Sequence, residues 1–174
     1  RPVSTLTYVN VALVAATRAD TPIVERLLQL YEYDYSEYGG VDVDAHGVFP
    51  TNDTEAIWRP GYYVFFITVD GKLAGFAFVT HHQSYVGDGE VRLIDEFFVM
   101  RKYRRRGVGE HVARTLFDRF PGRWEVSELR DNLAAQAFWR RVIGRYTGGA
   151  YREVTLDSGR WRGPAQSFDS RVTP

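Results

Sequence analysis

The fold of this protein is decided by the stretch from Val91 to Phe120, VRLIDEFFVMRKYRRRGVGEHVARTLFDRF. Its first part is an apolar run interrupted only by Asp95 and Glu96, which predicts a β-strand. Its last part predicts an α-helix, because apolar residues recur at helical spacing on one face: Val112, Ala113, Leu116, Phe117 and Phe120. A strand therefore leads through a short loop into a helix.

The loop between them, Arg104–Gly109, reads Arg-Arg-Arg-Gly-Val-Gly. Glycine lets the backbone turn sharply and leaves no Cβ between its amide and a ligand. The first turn of a helix adds N–H groups without intrahelical partners and about half a positive charge. Together these features predict a binding site for a phosphate or pyrophosphate. The alternative is a surface turn with exposed arginines.

Two segments resemble the GNAT family of N-acetyltransferases. Residues Arg104–Gly109 are similar to the family's pyrophosphate loop, Arg/Gln-x-x-Gly-x-Gly/Ala. Residues Asn132–Trp139, which read Asn-x-x-Ala-x-x-Phe-Trp, resemble the family's later Asn-x-x-Ala-x-x-Phe-Tyr helix. The segments stand in the family's order and at about its spacing. The resemblance implies an α+β GNAT fold, a mixed and mostly antiparallel central sheet with helices on both faces.

The composition fits one domain over residues 1–174, since this length buries one core well and is short for two. Twenty-two basic residues balance 22 acidic ones, so no global field favours nucleic acid or an acidic membrane. Cysteine is absent, which removes disulfides and thiolate chemistry. No apolar stretch approaches the roughly 20 residues of a membrane helix. The default is a cytoplasmic protein, and a homodimer is one arrangement that the sequence leaves open.

The chain before this stretch predicts strands and two helices. A first strand is predicted over Thr5–Ala16, and a helix starts at Asp20–Pro22 with Thr21 as its cap. A short helix near Ile57-Trp58 is capped within Asn52–Thr54. Two strands, Tyr62–Val69 and Leu73–Thr80, are joined by Asp70-Gly71, a sequence typical of a type I′ hairpin.

The chain after it predicts a strand over Trp124–Leu129 and a helix capped by Asp131-Asn132 and ended by Gly144. The apolar face of this helix is predicted to carry Leu133, Ala134, Ala137, Phe138 and Val142. Two closing strands are predicted over Tyr146–Leu156 and Gln166–Val172, around a turn at 157–159.

The segment Tyr31–Gly40 alternates tyrosines with acidic residues. One interpretation is the end of an amphipathic helix with half-buried aromatics. The other is a wall of the acceptor site, because the first helices border that site in the GNAT fold. Acidic and aromatic groups there suit a cationic amine.

The resemblance implies acetyl-CoA as donor and direct transfer of its acetyl group to the amine of a small molecule or peptide. The pyrophosphate would bind the backbone amides of Arg105–Gly109, with charge from Arg104 and Arg106. A backbone N–H along Phe97–Val99, where the family's fourth strand splays from the fifth, would polarise the thioester. The residues expected to contact the cofactor are Phe97, Phe98, Val99, Arg104, Arg105, Arg106, Gly107, Val108, Gly109, Glu110, Asn132 and Phe138. For Asn132 the alternative is a plain helix N-cap.

Glu96 is the first candidate for the catalytic base and Asp95 the second. Both interrupt an apolar strand, and regular alternation predicts that their side chains point to opposite faces. The one that faces the acceptor would have its pKa raised by burial toward the working pH. The alternative for either is an ion pair with an arginine such as Arg92.

The family's tyrosine, whose hydroxyl protonates the leaving thiolate, is replaced here by Trp139. An indole N–H is no useful acid, so Tyr146 or Tyr151 is the candidate substitute, or the thiolate leaves unaided. This departure favours a second hypothesis, an acyl-CoA-binding sensor without catalysis. A third, a nucleotide-phosphate binder, lacks the Lys-Ser/Thr that follows the glycines of a P-loop. No metal is expected, since His81-His82 has no cysteine or second cluster near it.

Overall fold

A computed structural model describes residues 10–39, 41–51, 53–157, 159 and 161–172, and within them the chain forms a seven-stranded sheet. The strands are β1 (Val11–Ala15), β2 (Tyr63–Val69), β3 (Lys72–Gln83), β4 (Glu90–Val99), β5 (Arg123–Ser127), β6 (Arg152–Leu156) and β7 (Gly163–Asp169). The helices are α1 (Thr21–Gly39), α2 (Val108–Arg119) and α3 (Leu133–Thr147), with short 3-10 turns at Arg18–Asp20, Thr54–Trp58 and Arg101–Tyr103. Their order in the sheet is β1-β2-β3-β4-β5-β7-β6.

Helices cover both faces of the sheet. On one face α1 packs Val24, Leu27 and Leu28 against strand residues such as Phe76 and Phe98. These helix positions are three and four residues apart, so they form a single apolar stripe. On the other face, α2 and α3 enclose a larger core that includes the fully buried Trp124. The predicted α+β fold, a mixed and mostly antiparallel sheet between helices, is confirmed.

The centre of the sheet is β4. It pairs antiparallel with β3 along its length and parallel with β5. The parallel register covers only Arg92↔Trp124 and Leu93↔Glu125, although β4 runs on to Val99 and β5 to Ser127. The edge of β4 that faces β5 is therefore left open over its second half. This opening is the splay between the fourth and fifth strands that the family resemblance implies.

The predicted hairpin between β2 and β3 is confirmed. Asp70 and Gly71 have φ angles of 51° and 73°, the left-handed values that a type I′ turn needs at both central positions. The short helix at Thr54–Trp58 is confirmed too, with the Asp53 carboxylate accepting from the Glu55 N–H at 2.9 Å. Asn52, the other predicted cap, and Thr5–Val9 of the predicted first strand lie outside the described residues.

Two predicted helix boundaries are wrong. Thr21 is not a cap, because it has helical φ and ψ and its hydroxyl donates to the Arg18 carbonyl. The turn starts earlier, where the Thr17 N–H donates to the Asp20 carboxylate at 2.8 Å. Gly144 does not end α3; the helix runs to Thr147 and ends at Gly148, which is left-handed with φ 62°. The first closing strand consequently begins at Arg152 and not at Tyr146.

The predicted core face of α3 is right at Phe138 and Val142, which pack in or against the core, and wrong at the other three positions. Leu133 is 69% exposed, and Ala134 and Ala137 are exposed as well. Besides Val142, the helix buries Trp139, Ile143 and Tyr146. These larger side chains remove more apolar area from water than the alanines do, so they determine which face turns inward.

A buried carboxylate on β5 leads to a prediction about acid stability. Glu125 accepts hydrogen bonds from the Ser84 hydroxyl and, at 2.9 Å, from the Tyr85 N–H, and His82 Nε2 lies 3.2 Å away. Burial alone raises the pKa of Glu125, but these donors outweigh it and lower the pKa to about 2. Folding therefore favours the ionised carboxylate of Glu125. The stability that this carboxylate contributes is lost as pH falls from the ordinary carboxyl pKa toward about 2.

We expect Glu125→Gln to lower the free energy of unfolding by about 2 kcal/mol near neutral pH, with the difference shrinking in acid. Urea unfolding at about pH 7 and about pH 3 measures this. Glu90→Gln, an exposed change on the adjacent strand, is the control and should have little effect. An equal loss at both pH values would contradict the assignment of the effect to the ionised carboxylate.

Candidate active site

The two carboxylates of β4 lie on the same face, because a β-bulge interrupts the strand between them. Phe78 pairs with Glu96 and Val79 with Ile94, so Asp95 is the extra residue of the bulge. A bulge breaks the regular alternation of a strand and redirects a side chain. The prediction that Asp95 and Glu96 point to opposite faces is therefore wrong. Both side chains line one cavity of about 170 Å³.

Glu96 is a half-buried residue of the cavity lining. Burial raises the pKa of its carboxyl to about 7; a hydrogen bond from the Tyr31 hydroxyl lowers this pKa, and the charges of Asp95 and Glu32 raise it. A carboxyl with this pKa is partly deprotonated near neutral pH, so it can take up and release a proton there. The alternative that Glu96 or Asp95 pairs with Arg92 is wrong, because the Arg92 guanidinium donates to the carbonyls of Phe120 and Pro121.

Asp95 accepts a hydrogen bond from the hydroxyl of Tyr62, the residue that precedes β2. Burial and the Asp95 charge raise the pKa of Tyr62 well above its ordinary value, so this tyrosine stays protonated as a donor. The Arg59 guanidinium lies over the Tyr62 ring, 5.2 Å from its centroid. Each carboxylate of the bulge is thus held by one tyrosine.

The acidic and aromatic segment continues α1 to Gly39 and contributes to the cavity. Tyr31 is packed edge-on against Phe98, with ring centroids 5.8 Å apart, and its hydroxyl reaches Glu96. Glu32 lines the cavity, whereas Tyr33 is 65% exposed. The segment is the end of an amphipathic helix, and one side of it borders the cavity that contains Glu96. Its interpretation as a wall of the acceptor site stays a prediction.

The basic glycine loop turns through two left-handed residues before α2 begins. Arg105 and Gly107 both have left-handed φ angles, 60° and 78°, and Gly107 is the N-cap of α2. A Cβ added at Gly107 would meet nothing within 4 Å, so the space in front of the loop is open. The N–H groups of the first turn, Val108 to Glu110, have no intrahelical acceptors. Arg105 and Arg106 are exposed beside them.

The Arg104 side chain, predicted to add charge at the anion site, makes contacts within the chain. Its Nε donates to the Val99 carbonyl at 2.6 Å, and its terminal nitrogen pairs with Asp34 of α1. Arg101 also pairs with Asp34, at 2.7 Å. The charge of Arg104 is therefore largely neutralised within the chain. Its side chain ties the loop to α1.

An aromatic cluster lies beside the opening between β4 and β5. Phe97 lies 5.0 Å from Trp139 and 6.1 Å from Phe138, centroid to centroid. A Cβ added at Gly109 would stand 3.1 Å from the Phe138 ring, so this glycine is needed for packing against α3. Phe97 and Val99 face α2 and α3, whereas Phe98 faces α1. The predicted cofactor residues on β4 thus divide between the two faces.

Two further predicted cofactor residues make contacts within the chain. The Asn132 side chain accepts from the Ala135 N–H at 3.0 Å, so its interpretation as an N-cap is confirmed. The Glu110 carboxylate pairs with Arg145 of α3 at 3.1 Å. The backbone N–H of Glu110 lies in the first turn of α2 and has no intrahelical acceptor.

The structure gives no support to Tyr146 as a general acid. Tyr146 lies inside α3, its ring packs on Phe117, and its hydroxyl donates to Asp118 of α2 at 2.7 Å. Burial and the hydrogen bond to Asp118 raise its pKa, which makes the hydroxyl a weaker acid. Tyr151 lies between α3 and β6 and packs against the same core. Trp139 is buried against Phe97 and Phe138.

Several residues of the cavity were missed by the sequence analysis. Tyr62, Asp53 and Arg59 come from segments far along the chain from Glu96 and have no local pattern that indicates a shared site. Asp53 was recognised only as a cap. Across the described ranges, no group of three or more His, Cys, Asp or Glu residues could hold a metal ion. The described helices include none that is long and apolar enough to cross a membrane.

Comparison with solved structures finds the same fold in acetyltransferases. An acetyltransferase from Thermus thermophilus superposes with a TM-score of 0.67 at 15% identity, covering 92% of this chain and 97% of that one. Aminoglycoside acetyltransferase AAC(6')-Ib, in complex with coenzyme A, superposes with a TM-score of 0.63 at 15% identity, covering 94% of this chain and 96% of that one. The ribosomal-protein-S18-alanine N-acetyltransferase from Escherichia coli superposes with a TM-score of 0.54 at 18% identity, covering 95% of this chain and 96% of that one.

A comparison with curated protein sequences gives no match. The model of the Acetyltransferase (GNAT) family matches residues 25–144, more than half of the chain. This range begins in α1 and ends in α3, so it contains the bulge carboxylates, the open edge of β4 and the glycine loop. The resemblance found in the loop and in α3 is confirmed, and the chain belongs to the GNAT family of acetyltransferases.

Proposed function

We propose that this protein is an N-acetyltransferase that moves the acetyl group of acetyl-CoA directly to a primary amine. The observation that carries the proposal is Glu96, a carboxyl with its pKa raised to about 7 in a cavity on the α1 side of β4. One strand thus presents a proton acceptor on one face beside the opening to β5. We further propose that the 174 residues act as one domain.

The residues present fit coenzyme A. The open, left-handed loop at Arg105 and Gly107 and the first N–H groups of α2 suit a pyrophosphate, with Arg106 adding charge. The edge of β4 that β5 leaves open, over Phe97–Val99, suits the amide-containing arm and would bring a backbone N–H near the thioester. A structure with this fold, AAC(6')-Ib, was solved in complex with coenzyme A.

In the proposed reaction acetyl-CoA supplies the thioester and its good leaving group. The amine nitrogen forms a bond to the carbonyl carbon, and the carbon–sulfur bond breaks. An ammonium acceptor loses two protons in all: Glu96 passes one to solvent, and the other ends on the coenzyme thiol. Tyr31 and Tyr62 position the carboxylates of Glu96 and Asp95. Asp95 is the second candidate for the base.

Trp139 favours a second candidate function, an acyl-CoA-binding sensor. Its buried indole replaces the family tyrosine, and the nearby Tyr146 hydroxyl is bonded to Asp118. Under this alternative the cofactor binds and no acetyl group is transferred. The raised pKa of Glu96 favours the enzyme, because a sensor does not need a proton acceptor in the cavity.

Titration with acetyl-CoA in a calorimeter, combined with measurement of thiol release in the presence of pooled amines, tests the proposal. We expect binding, and thiol release that requires at least one amine pool. Binding without release from any pool would favour the sensor. Absence of binding would contradict the assignment of the loop.

A further inference from the structure

The cavity around Glu96 carries an unbalanced negative charge. It is lined by four carboxylates, Glu32, Asp53, Asp95 and Glu96, and by one cation, Arg59. Within the described ranges, the recorded ion pairs include none of the four. Other carboxylates differ: Asp34 pairs with two arginines, Glu110 with Arg145 and Glu153 with Arg140.

These charges affect one another. The charges of Asp95 and Glu32 raise the pKa of Glu96, in addition to the larger effect of burial. Glu32 is itself partly buried, and burial raises its pKa as well. Neighbouring like charges in a partly desolvated site are unfavourable unless a cation compensates them. A positively charged ligand is therefore favoured here.

The reacting amine cannot supply this compensation, because it must lose its positive charge before it attacks the thioester. Glu96 suffices to accept that proton. Among the described residues neither Glu32 nor Asp53 forms an ion pair; the Asp53 carboxylate accepts from the Glu55 N–H, and Asp95 accepts from the Tyr62 hydroxyl. A second cationic group on the acceptor would compensate them throughout the reaction.

The apolar part of the lining indicates what joins the two groups. Leu28, Ala56, Ile57 and Phe78 line the cavity together with the carboxylates. The cavity has a volume of about 170 Å³. Its apolar lining and this volume suit a short aliphatic chain between charged groups.

We propose that the acceptor carries two ammonium groups joined by a short aliphatic spacer, one reacting at Glu96 and the other held by Glu32 and Asp53. This inference rests on the proposed function, because it takes the cavity as the acceptor site. Glu32 and Asp53 are then specificity-determining residues, and they act on binding of the group that does not react.

The test compares kcat/KM for linear diamines from diaminopropane to diaminohexane with the monoamine of equal length, such as butylamine for diaminobutane. One charge-assisted contact strengthens binding by about 10- to 100-fold. The kcat/KM for the preferred diamine should therefore exceed the kcat/KM for its monoamine by that factor. Glu32→Gln should lower kcat/KM for the diamine by about tenfold more than it changes kcat/KM for the monoamine. Glu55→Gln is the control, since Glu55 is exposed, pairs with Arg18 and lies outside the cavity.

The outcomes separate this inference from the function on which it rests. Turnover of monoamines as fast as diamines would overturn the two-ammonium acceptor and leave the acetyltransferase in place. An equal effect of Glu32→Gln on both substrates would also overturn it, because a general structural effect does not distinguish them. Binding of acetyl-CoA without turnover of any amine would overturn both.

Discussion

Replacing Glu96 by Gln is expected to lower the acetylation rate by about 100- to 10,000-fold and to leave the affinity for acetyl-CoA unchanged. Glutamine keeps the shape of the side chain and cannot accept the proton of the amine, and loss of a positioned base has this magnitude. The loop that we assign to the cofactor lies beyond the end of β4, so binding should not change. Single-turnover kinetics and calorimetric titration measure the two quantities separately.

The pH dependence provides the sharper readout. Burial raises the pKa of Glu96 to about 7, and only the deprotonated carboxylate accepts a proton. In the unchanged protein kcat should therefore rise as pH increases through about 7, and Glu96→Gln should lack this rise. Glu90→Gln, the same substitution at the exposed start of the strand, should keep both the rate and the profile. A full rate with an unchanged profile in Glu96→Gln would place the base elsewhere, with Asp95 next.

Replacing Gly107 by Val is expected to weaken acetyl-CoA binding by about 100-fold or more, through loss of hydrogen bonds to a charged group. The glycine has φ 78°, and a Cβ there would project into the open space that we assign to the pyrophosphate. A β-branched side chain would both occupy this space and resist the left-handed conformation. Calorimetric titration measures the affinity.

The control separates backbone strain from blocked binding. Gly149 has φ 88° with nothing within 4 Å of an added Cβ, and it lies after α3. Gly149→Val should therefore cause a comparable loss of thermal stability with little effect on affinity. If Gly107→Val binds acetyl-CoA as well as the unchanged protein does, the loop is a surface turn and the cofactor assignment is wrong.

Local patterns in the sequence determined the elements around the site. The apolar run of β4, the glycine loop and the helical spacing of α2 each depend on residues close together in the chain, and each was predicted correctly. The Asp70-Gly71 hairpin is equally local, because the turn type depends on two residues. The family motif added the splay between β4 and β5, which no short segment specifies by itself.

Tertiary structure alone decided how the side chains meet. The bulge at Asp95 exists because of the register between β3 and β4, so alternation counted along one strand gave the wrong face. Packing against the sheet chose the Trp139 face of α3 over its alanine face and carried the helix past Gly144 to Thr147. Arg104 turned from a predicted anion ligand into a partner of Asp34, which lies far away in the chain. In each case the free energy comes from contacts between distant segments, and such contacts leave no local pattern in a single sequence.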